Sequence, residues 1–197
     1  IEGQRFVPVE LMDVAGLVPG ASEGKGLGNQ FLDDLRAADV FIHIVDTSGT
    51  TDSEGKSADN HDVTKDILFL EEELNRWYYN ILIKAWKSFA RKAEIEKENF
   101  AESVAKQFSG LKVKEEDVKV VLRKIHFIEK PSIWNEGQLM EFAKQLRRES
   151  KPLIIAANKI DMPKSEENYK KLKKEFPDLI IIPCSADSEL ALREATK

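Results

Sequence analysis

Residues 152–161, PLIIAANKID, join a short apolar run to a polar signature. The apolar run has the length of a strand and almost no alternation of polar and apolar residues, which is typical of a strand buried inside a parallel sheet. Residues 40–46, VFIHIVD, and 179–183, LIIIP, have the same character. The sequence therefore predicts three fully buried, parallel strands.

The segments around these strands have the periodicity of helices. Apolar residues recur on one face of the predicted helices at 138–148 and 165–176, and Ser165 is the expected N-cap of the second. A further strand is predicted at residues 6–12, ahead of the glycine-rich segment 13–28. Alternation of strands and helices predicts an α/β fold with a mostly parallel sheet and helices on both faces.

The middle of the chain differs from both ends. Residues 62–109 contain neither proline nor glycine. Apolar residues recur there at spacings of three and four, as in a long amphipathic helix: Ile67, Leu70, Leu74, Trp77 and Ile81. We therefore predict a helical, coiled-coil-like insertion at 63–133, between core parts at 1–62 and 134–197.

Two sets of side chains have more than one interpretation. Five aromatic residues can stack on RNA bases, although packing between helices is favoured: Trp77, Tyr78, Tyr79, Trp86 and Trp134. Three cations can contact a phosphate backbone or lie on a solvated helix face: Arg147, Arg148 and Lys151.

Composition excludes several classes of protein. The 197 residues include 30 Lys and Arg against 35 Asp and Glu, and the net charge of −5 excludes a strongly basic nucleic-acid-coating protein. One cysteine excludes a disulfide framework. The longest apolar runs are far too short to cross a bilayer, so no membrane partner is expected.

Three polar signatures follow predicted strands: DVAG at 13–16, NKID at 158–161 and CSA at 184–186. In open parallel sheets, ligands bind at the carboxyl ends of the strands. The three signatures are therefore expected to meet at one ligand site.

The NKxD pattern of residues 158–161 suits a guanine base. The carboxylate of Asp161 can accept hydrogen bonds from the N1–H and the 2-amino group of guanine, a pair that adenine lacks. The aliphatic stem of Lys159 can lie along the base, and Asn158 can tie neighbouring loops together. The alternative is a strand-end turn capped by Asp161.

The other two signatures suit the rest of a nucleotide. Asp13 of the DxxG pattern can hold Mg²⁺ through water, and Gly16 allows a backbone N–H to approach a terminal phosphate. Backbone N–H groups of Ser185 and Ala186 can face the guanine O6. An ordinary turn explains each signature taken alone, whereas their order and common position favour a nucleotide site.

With these motifs in hand, the chain resembles translational GTPases of the Obg/YchF type. The resemblance rests on residues 13–35, DVAGLVPGASEGKGLGNQFLDDL, and is closest to the YchF-like branch at 66–86, DILFLEEELNRWYYNILIKAW. It implies a P-loop NTPase fold, binding of GTP or ATP and its hydrolysis with Mg²⁺, a cytoplasmic location and association with the ribosome or RNA. The intact NKxD pattern favours GTP, with GDP as product.

The chain departs from that family pattern in two ways. Leu17 stands where many GTPases place the glutamine that orients the attacking water, so no catalytic residue is assigned and slow or differently assisted hydrolysis is expected. No GxxxxGK[ST] occurs, so the first strand, the P-loop and the first switch are expected upstream of Ile1. The chain alone is then expected to be inactive, with a vacant strand position between residues 6–12 and 40–46.

A different class of function stays open. The chain can instead be an interaction module whose helical insertion binds a ribosomal or protein partner. Nucleotide, including ATP, would then serve only as a regulatory ligand.

Overall fold

The computed structural model describes residues 7–14, 34–53, 55–95, 99–127 and 130–195. It contains three of the predicted strands, β1 (Phe41–Asp46), β2 (Leu153–Asn158) and β3 (Ile180–Pro183). They form a parallel sheet in the order β1-β2-β3. Asp46 pairs in register with Asn158, so β1 and β2 end level with each other.

The part of the chain that the structure describes also contains six α-helices: α1 (Thr64–Ile95), α2 (Phe100–Gln107), α3 (Glu115–Lys124), α4 (Glu136–Ser150), α5 (Ser165–Glu175) and α6 (Ala186–Ala195). Local sequence explains their starts. Asn135 and Gln138 cap α4 reciprocally, each side chain accepting the other's backbone N–H at 3.0 Å. None of the described helices is long and apolar enough to span a membrane.

The two faces of the sheet differ. On one face the apolar side chains of all three strands are buried, including Val45, Ile155 and Ile181. On the other face four isoleucines are 50–67% exposed: Ile42, Ile44, Ile180 and Ile182. The prediction of fully buried strands is therefore wrong for the described residues, because these isoleucines on one face of the sheet are exposed.

The strand predicted at residues 6–12 is wrong over its described part. Residues 7–12 have no regular secondary structure, and Val7, Val9 and Leu11 are exposed. A strand needs a partner for its backbone N–H and C=O groups. Among the described residues, β1 pairs only with β2. Within the described ranges no strand flanks the vacant position expected beside β1, so that expectation stays a prediction.

A buried group of charges joins α1 to α4. Arg147, which is 1% exposed, donates from its guanidinium to Glu71 Oε1 at 2.6 Å, and Arg148 donates to Glu71 Oε2 at 2.8 Å. Burial by itself raises the pKa of Glu71, but the two guanidinium groups hold that pKa below its ordinary value. Neither earlier interpretation of Arg147 holds, since it contacts neither a phosphate backbone nor solvent.

Lys151, just after α4, is also buried at 1% exposure. Its ammonium donates to the carbonyl oxygens of Arg36, at 3.1 Å, and of Ala38. It also lies 5.8 Å from the ring centre of Phe41. These contacts tie the segment before β1 to the segment before β2.

Aromatic side chains fill the space between the helices. Trp86 of α1 stacks on Trp134 with ring centres 5.5 Å apart, and Phe142 of α4 lies 5.2 Å from Trp134. Trp77 and Tyr78 are buried as well, while Tyr79 is half-buried. The four buried rings, Trp77, Tyr78, Trp86 and Trp134, therefore pack between helices, as the favoured interpretation predicted.

Glu71→Gln should destabilise the fold by about 3 kcal/mol, because it leaves the buried Arg147 charge uncompensated. Urea unfolding followed by tryptophan fluorescence measures this. The matched control is Glu72→Gln on the exposed side of α1, which breaks only a surface pair with Arg76 and should cost less than about 0.5 kcal/mol. Equal effects of the two variants would contradict the prediction.

His43 should make the fold acid-sensitive. Burial lowers its pKa from 6.5 to about 4, and its buried Nδ1 has no hydrogen-bond partner among the described residues. Between those two pKa values the unfolded chain binds a proton that the folded chain does not, so stability falls as the pH drops from about 6.5 to 4. The contribution is on the order of 2 kcal/mol.

His43→Leu should remove that part of the stability loss. The measurement is urea unfolding at pH 7 and pH 4.5 for wild type and variant. His126→Leu, in an exposed loop, serves as the control and should keep the full loss. A variant as acid-sensitive as wild type would refute the role given to His43.

Candidate functional site

The candidate site lies where β1 and β2 end. Thr47, the residue after β1, donates to the carbonyl of Asn158 twice, from its backbone N–H at 3.0 Å and from Oγ1 at 2.5 Å. Asn168 of α5 donates from Nδ2 to the Thr47 carbonyl at 2.8 Å. The loops after the two strands are therefore held together beyond the sheet itself.

Asn158 links the NKxD segment to the segment after β3. Its side-chain Oδ1 accepts the backbone N–H of Ala186 at 3.0 Å. Backbone bonds on each side reinforce this link, because Cys184 donates to Ala157 at 2.9 Å and Ile160 donates to Cys184 at 3.1 Å. Two of the three predicted signatures thus form one unit.

Lys159 has a left-handed backbone with φ of 61°. Its ammonium donates to Asp46 Oδ2 at 2.7 Å, across the level ends of β1 and β2. The carboxylate also receives hydrogen bonds from Ser48, Thr50 and Thr51 in the loop after β1. Although burial raises the pKa of Asp46, these donors hold it well below its usual range.

Sequence reasoning missed Asp46. The available signal was its place as the last residue of a predicted strand, followed by TSGTT, a run rich in hydroxyl groups. Gly49 permits the tight turn of this loop, since its φ is +67° and an added Cβ would lie 2.9 Å from the His61 carbonyl oxygen.

Asp161, the last residue of the NKxD pattern, is exposed. Its carboxylate has no hydrogen-bond or ion-pair partner within the described ranges. It lies two residues beyond Lys159, in the turn between β2 and α5. This carboxylate is therefore open to a ligand at the strand edge.

Two serines near the site lie at or next to the first residues of helices. Ser185 Oγ accepts the backbone N–H of Ser188 at 3.4 Å at the beginning of α6. Ser165 is the first residue of α5 rather than its N-cap, so that prediction is wrong. Ser165 is buried and donates from Oγ to the carbonyl of Lys159 at 2.7 Å, which fixes the NKxD backbone instead.

The phosphate-side residues are less defined. Asp13 is described, is exposed, and makes no hydrogen bond or ion pair with the base-side residues that the structure covers. Gly16 and Leu17 lie outside the described residues. Asn158, Lys159, Ser185 and Ala186 are therefore brought together, whereas no contact joins Asp13 to them.

A metal site was expected at Asp13. Its exposed carboxylate is the hard oxygen donor that Mg²⁺ prefers. The described residues contain no group of three or more His, Cys, Asp or Glu side chains able to hold a metal. Asp13 thus fits as a single ligand, with water and phosphate oxygens as the complementary donors.

A cavity of about 400 Å³ adjoins this edge, between the exposed sheet face and the loop after β3. Asn158, Ser185 and Ala186 line its polar side, and Ile44 and Ala156 its apolar side. The volume lies in the range of small-molecule pockets.

Comparison with known proteins gives two family matches. The model described as "Obg-like GTPase YGR210-like, G4 motif-containing domain" matches residues 156–197, which include the NKxD segment and α6. The model described as "50S ribosome-binding GTPase" matches residues 2–84. Over these two ranges the chain matches Obg-like GTPases. The expected family is confirmed at this level.

Individual relatives of this Obg-like chain agree. A GTP-binding protein of Methanocaldococcus jannaschii is 52% identical over 197 residues, 100% of this chain and 49% of the relative. One of Schizosaccharomyces pombe is 39% identical over 196 residues, 99% of this chain and 48% of the relative. The chain thus spans about half the length of these relatives.

A solved structure supports the fold. The crystal structure of a GTP-binding protein from Pyrococcus horikoshii OT3 matches with a TM-score of 0.76 and 44% identity. The match covers 85% of this chain and 49% of that one. The α/β, P-loop GTPase-type fold with a parallel sheet and flanking helices is therefore confirmed.

Asn158→Ala should release the start of α6. Loss of Oδ1 leaves the N–H of Ala186 without its acceptor, so hydrogen exchange of that amide should accelerate by about tenfold or more. Exchange followed by NMR measures it. Asn168→Ala, which removes a bond in the neighbouring loop, should leave the Ala186 amide unchanged. Unchanged exchange in Asn158→Ala would count against the link.

Proposed function

We propose that the chain forms the guanine-recognition part of a GTP-binding protein that hydrolyses GTP to GDP with Mg²⁺. The observation that carries this proposal is the arrangement at the strand edge. Asn158 holds the loop after β3 through Ala186, and the exposed carboxylate of Asp161 has no partner within the described ranges. The relatives are named as GTP-binding proteins, which supports the same function.

Base selectivity is assigned to Asp161. Its two oxygens can accept the N1–H and the 2-amino group of guanine, which are both donors. Adenine presents an acceptor at N1 and no 2-amino group, so it would leave the carboxylate unsatisfied. Lys159, two residues earlier in the same motif, supplies an apolar stem that suits the face of a flat base.

The loop after β3 is assigned to the guanine O6. The N–H of Ala186 donates to Asn158 Oδ1, so a base oxygen would share or replace that bond. Ser185 begins the same turn and offers its own backbone N–H. Both residues therefore contribute through the backbone, which explains why small side chains suffice there.

The phosphate side is proposed from residue chemistry. Asp13 would hold Mg²⁺ through water, and Mg²⁺ neutralises phosphate charge when bound. Gly16 would place a backbone N–H near the terminal phosphate, and Leu17 offers no hydrogen bond to water. Slow or externally assisted hydrolysis by the whole protein is the expected consequence.

The wider assignments follow the same resemblance. We propose core parts at 1–62 and 134–197 around a helical insertion at 63–133. Membership of the YchF-like branch, a cytoplasmic location and a nucleotide-dependent role at the ribosome or on RNA belong to the same proposal. Nucleotide-dependent change in the 16–28 loop would be the output.

Titration with a fluorescent guanine nucleotide and Mg²⁺ tests the proposal in the full-length protein. Saturable binding that GDP displaces and ADP does not is the expected result. Displacement by ADP at lower concentration than GDP would overturn the guanine assignment. Absence of any binding would favour the alternative, in which the chain is an interaction module for a ribosomal or protein partner.

Asp161→Asn should change the preferred base. An amide offers a donor where guanine also has one, so affinity for GDP should fall by at least about a hundredfold. Xanthine has a 2-oxo group that accepts from the amide, so XDP affinity should rise. Competition binding measures both. The control is Asp178→Asn. Asp178 is exposed and precedes β3, at the end of the strands away from the candidate site, so its replacement should change neither affinity.

A further inference from the structure

The carboxylate of Asp46 is held in one orientation by its own loop. Oδ1 accepts the backbone N–H of Ser48 at 3.0 Å and the Ser48 hydroxyl at 2.5 Å. Oδ2 accepts the Thr51 hydroxyl at 2.7 Å and the Thr50 hydroxyl at 3.2 Å. With four donors in place, the carboxylate has a fixed direction before any lysine reaches it.

Lys159 is fixed at both ends. Its carbonyl accepts Ser165 Oγ at 2.7 Å and the backbone N–H of Met162 at 3.0 Å, which anchors the backbone. Its ammonium reaches Asp46 Oδ2 at 2.7 Å, with side-chain exposures of 36% for Lys159 and 12% for Asp46. The aliphatic stem is therefore stretched between two anchored points.

We propose that Asp46 is a positioning residue for base recognition. It holds the ammonium of Lys159 so that the lysine stem forms a preset apolar surface for the flat face of guanine. This inference rests on the proposed guanine site. A free lysine side chain has many rotamers, and ordering them on binding costs affinity, whereas an ordered stem avoids that cost.

The direction of this effect follows from the hydrogen bonds. Ser48, Thr50 and Thr51 orient the carboxylate without help from Lys159, while among the described residues no acceptor other than Asp46 meets the Lys159 ammonium. Removing the carboxylate should therefore free the lysine. Removing the lysine charge should leave the loop in place.

A double-mutant cycle in the full-length protein tests the proposal, with the GDP dissociation constant as readout. Asp46→Asn and Lys159→Met should each weaken GDP binding by about tenfold, and the double variant should also be about tenfold weaker rather than a hundredfold. Lys159→Met keeps an apolar side chain but loses the charge that Asp46 holds. The control pair is Asp39→Asn and Lys112→Met, which breaks an exposed ion pair before β1 and should change GDP affinity less than twofold.

Base discrimination supplies a second readout. Asp46→Asn should weaken GDP and IDP, which lacks the 2-amino group, by the same factor, because Asp46 acts on the stem rather than the base edge. Asp161→Asn should instead reduce the difference in affinity between GDP and IDP. Partial unfolding of Asp46→Asn would weaken binding of every nucleotide alike, so the matched factors support the proposal only when the thermal stability of the variant equals that of wild type.

Several results would overturn the proposal. One is a further tenfold loss when Asp46→Asn is added to Lys159→Met, since Asp46 would then act independently of the lysine. Another is GDP binding by Lys159→Met as tight as that of wild type. This result would refute the proposal even if Asp46→Asn did not fold. Failure of the wild-type protein to bind GDP would remove the proposed function together with this inference.

Discussion

The level pairing of β1 with β2 is the constraint on which the candidate site depends. Asp46 and Asn158 are register partners, so both strands release their chains at the same height. The side chains that follow can then meet across a single strand spacing of about 4.8 Å. A shift of one residue would turn every β1 side chain to the opposite face and separate Asp46 from Lys159.

Much of the fold was predictable, because its signals are local. The apolar runs at 40–46, 152–157 and 179–183 predicted strands within one residue of their observed bounds, and Asn135 before α4 together with Gln138 in its first turn explains where that helix starts. The strand at 6–12 failed for a non-local reason. Its residue types favour a strand, but a strand also needs a neighbouring strand to accept and donate its backbone hydrogen bonds. The described part of the chain offers residues 7–12 no such neighbour.

The site was half predictable for a similar reason. Asn158 and Ser185–Ala186 could be named because motif spacing and position at strand ends are written in the chain. Asp46 was harder to name, because its place at a strand end is a weak signal and its importance comes from Lys159, 113 residues away. The charged pair of Arg147 and Glu71 is another such case, because a cation on a helix reads as solvated until the partner helix is in place.

The open sheet face has a colloidal consequence. Among the described residues, Ile42 and Ile44 of β1 and Ile180 and Ile182 of β3 lie on the same face of the sheet, on either side of β2, and give that face the composition of a protein interior. A net charge of −5 provides long-range repulsion, and added salt screens it within about 8 Å. Raising the ionic strength therefore weakens the repulsion that opposes contact between two such faces.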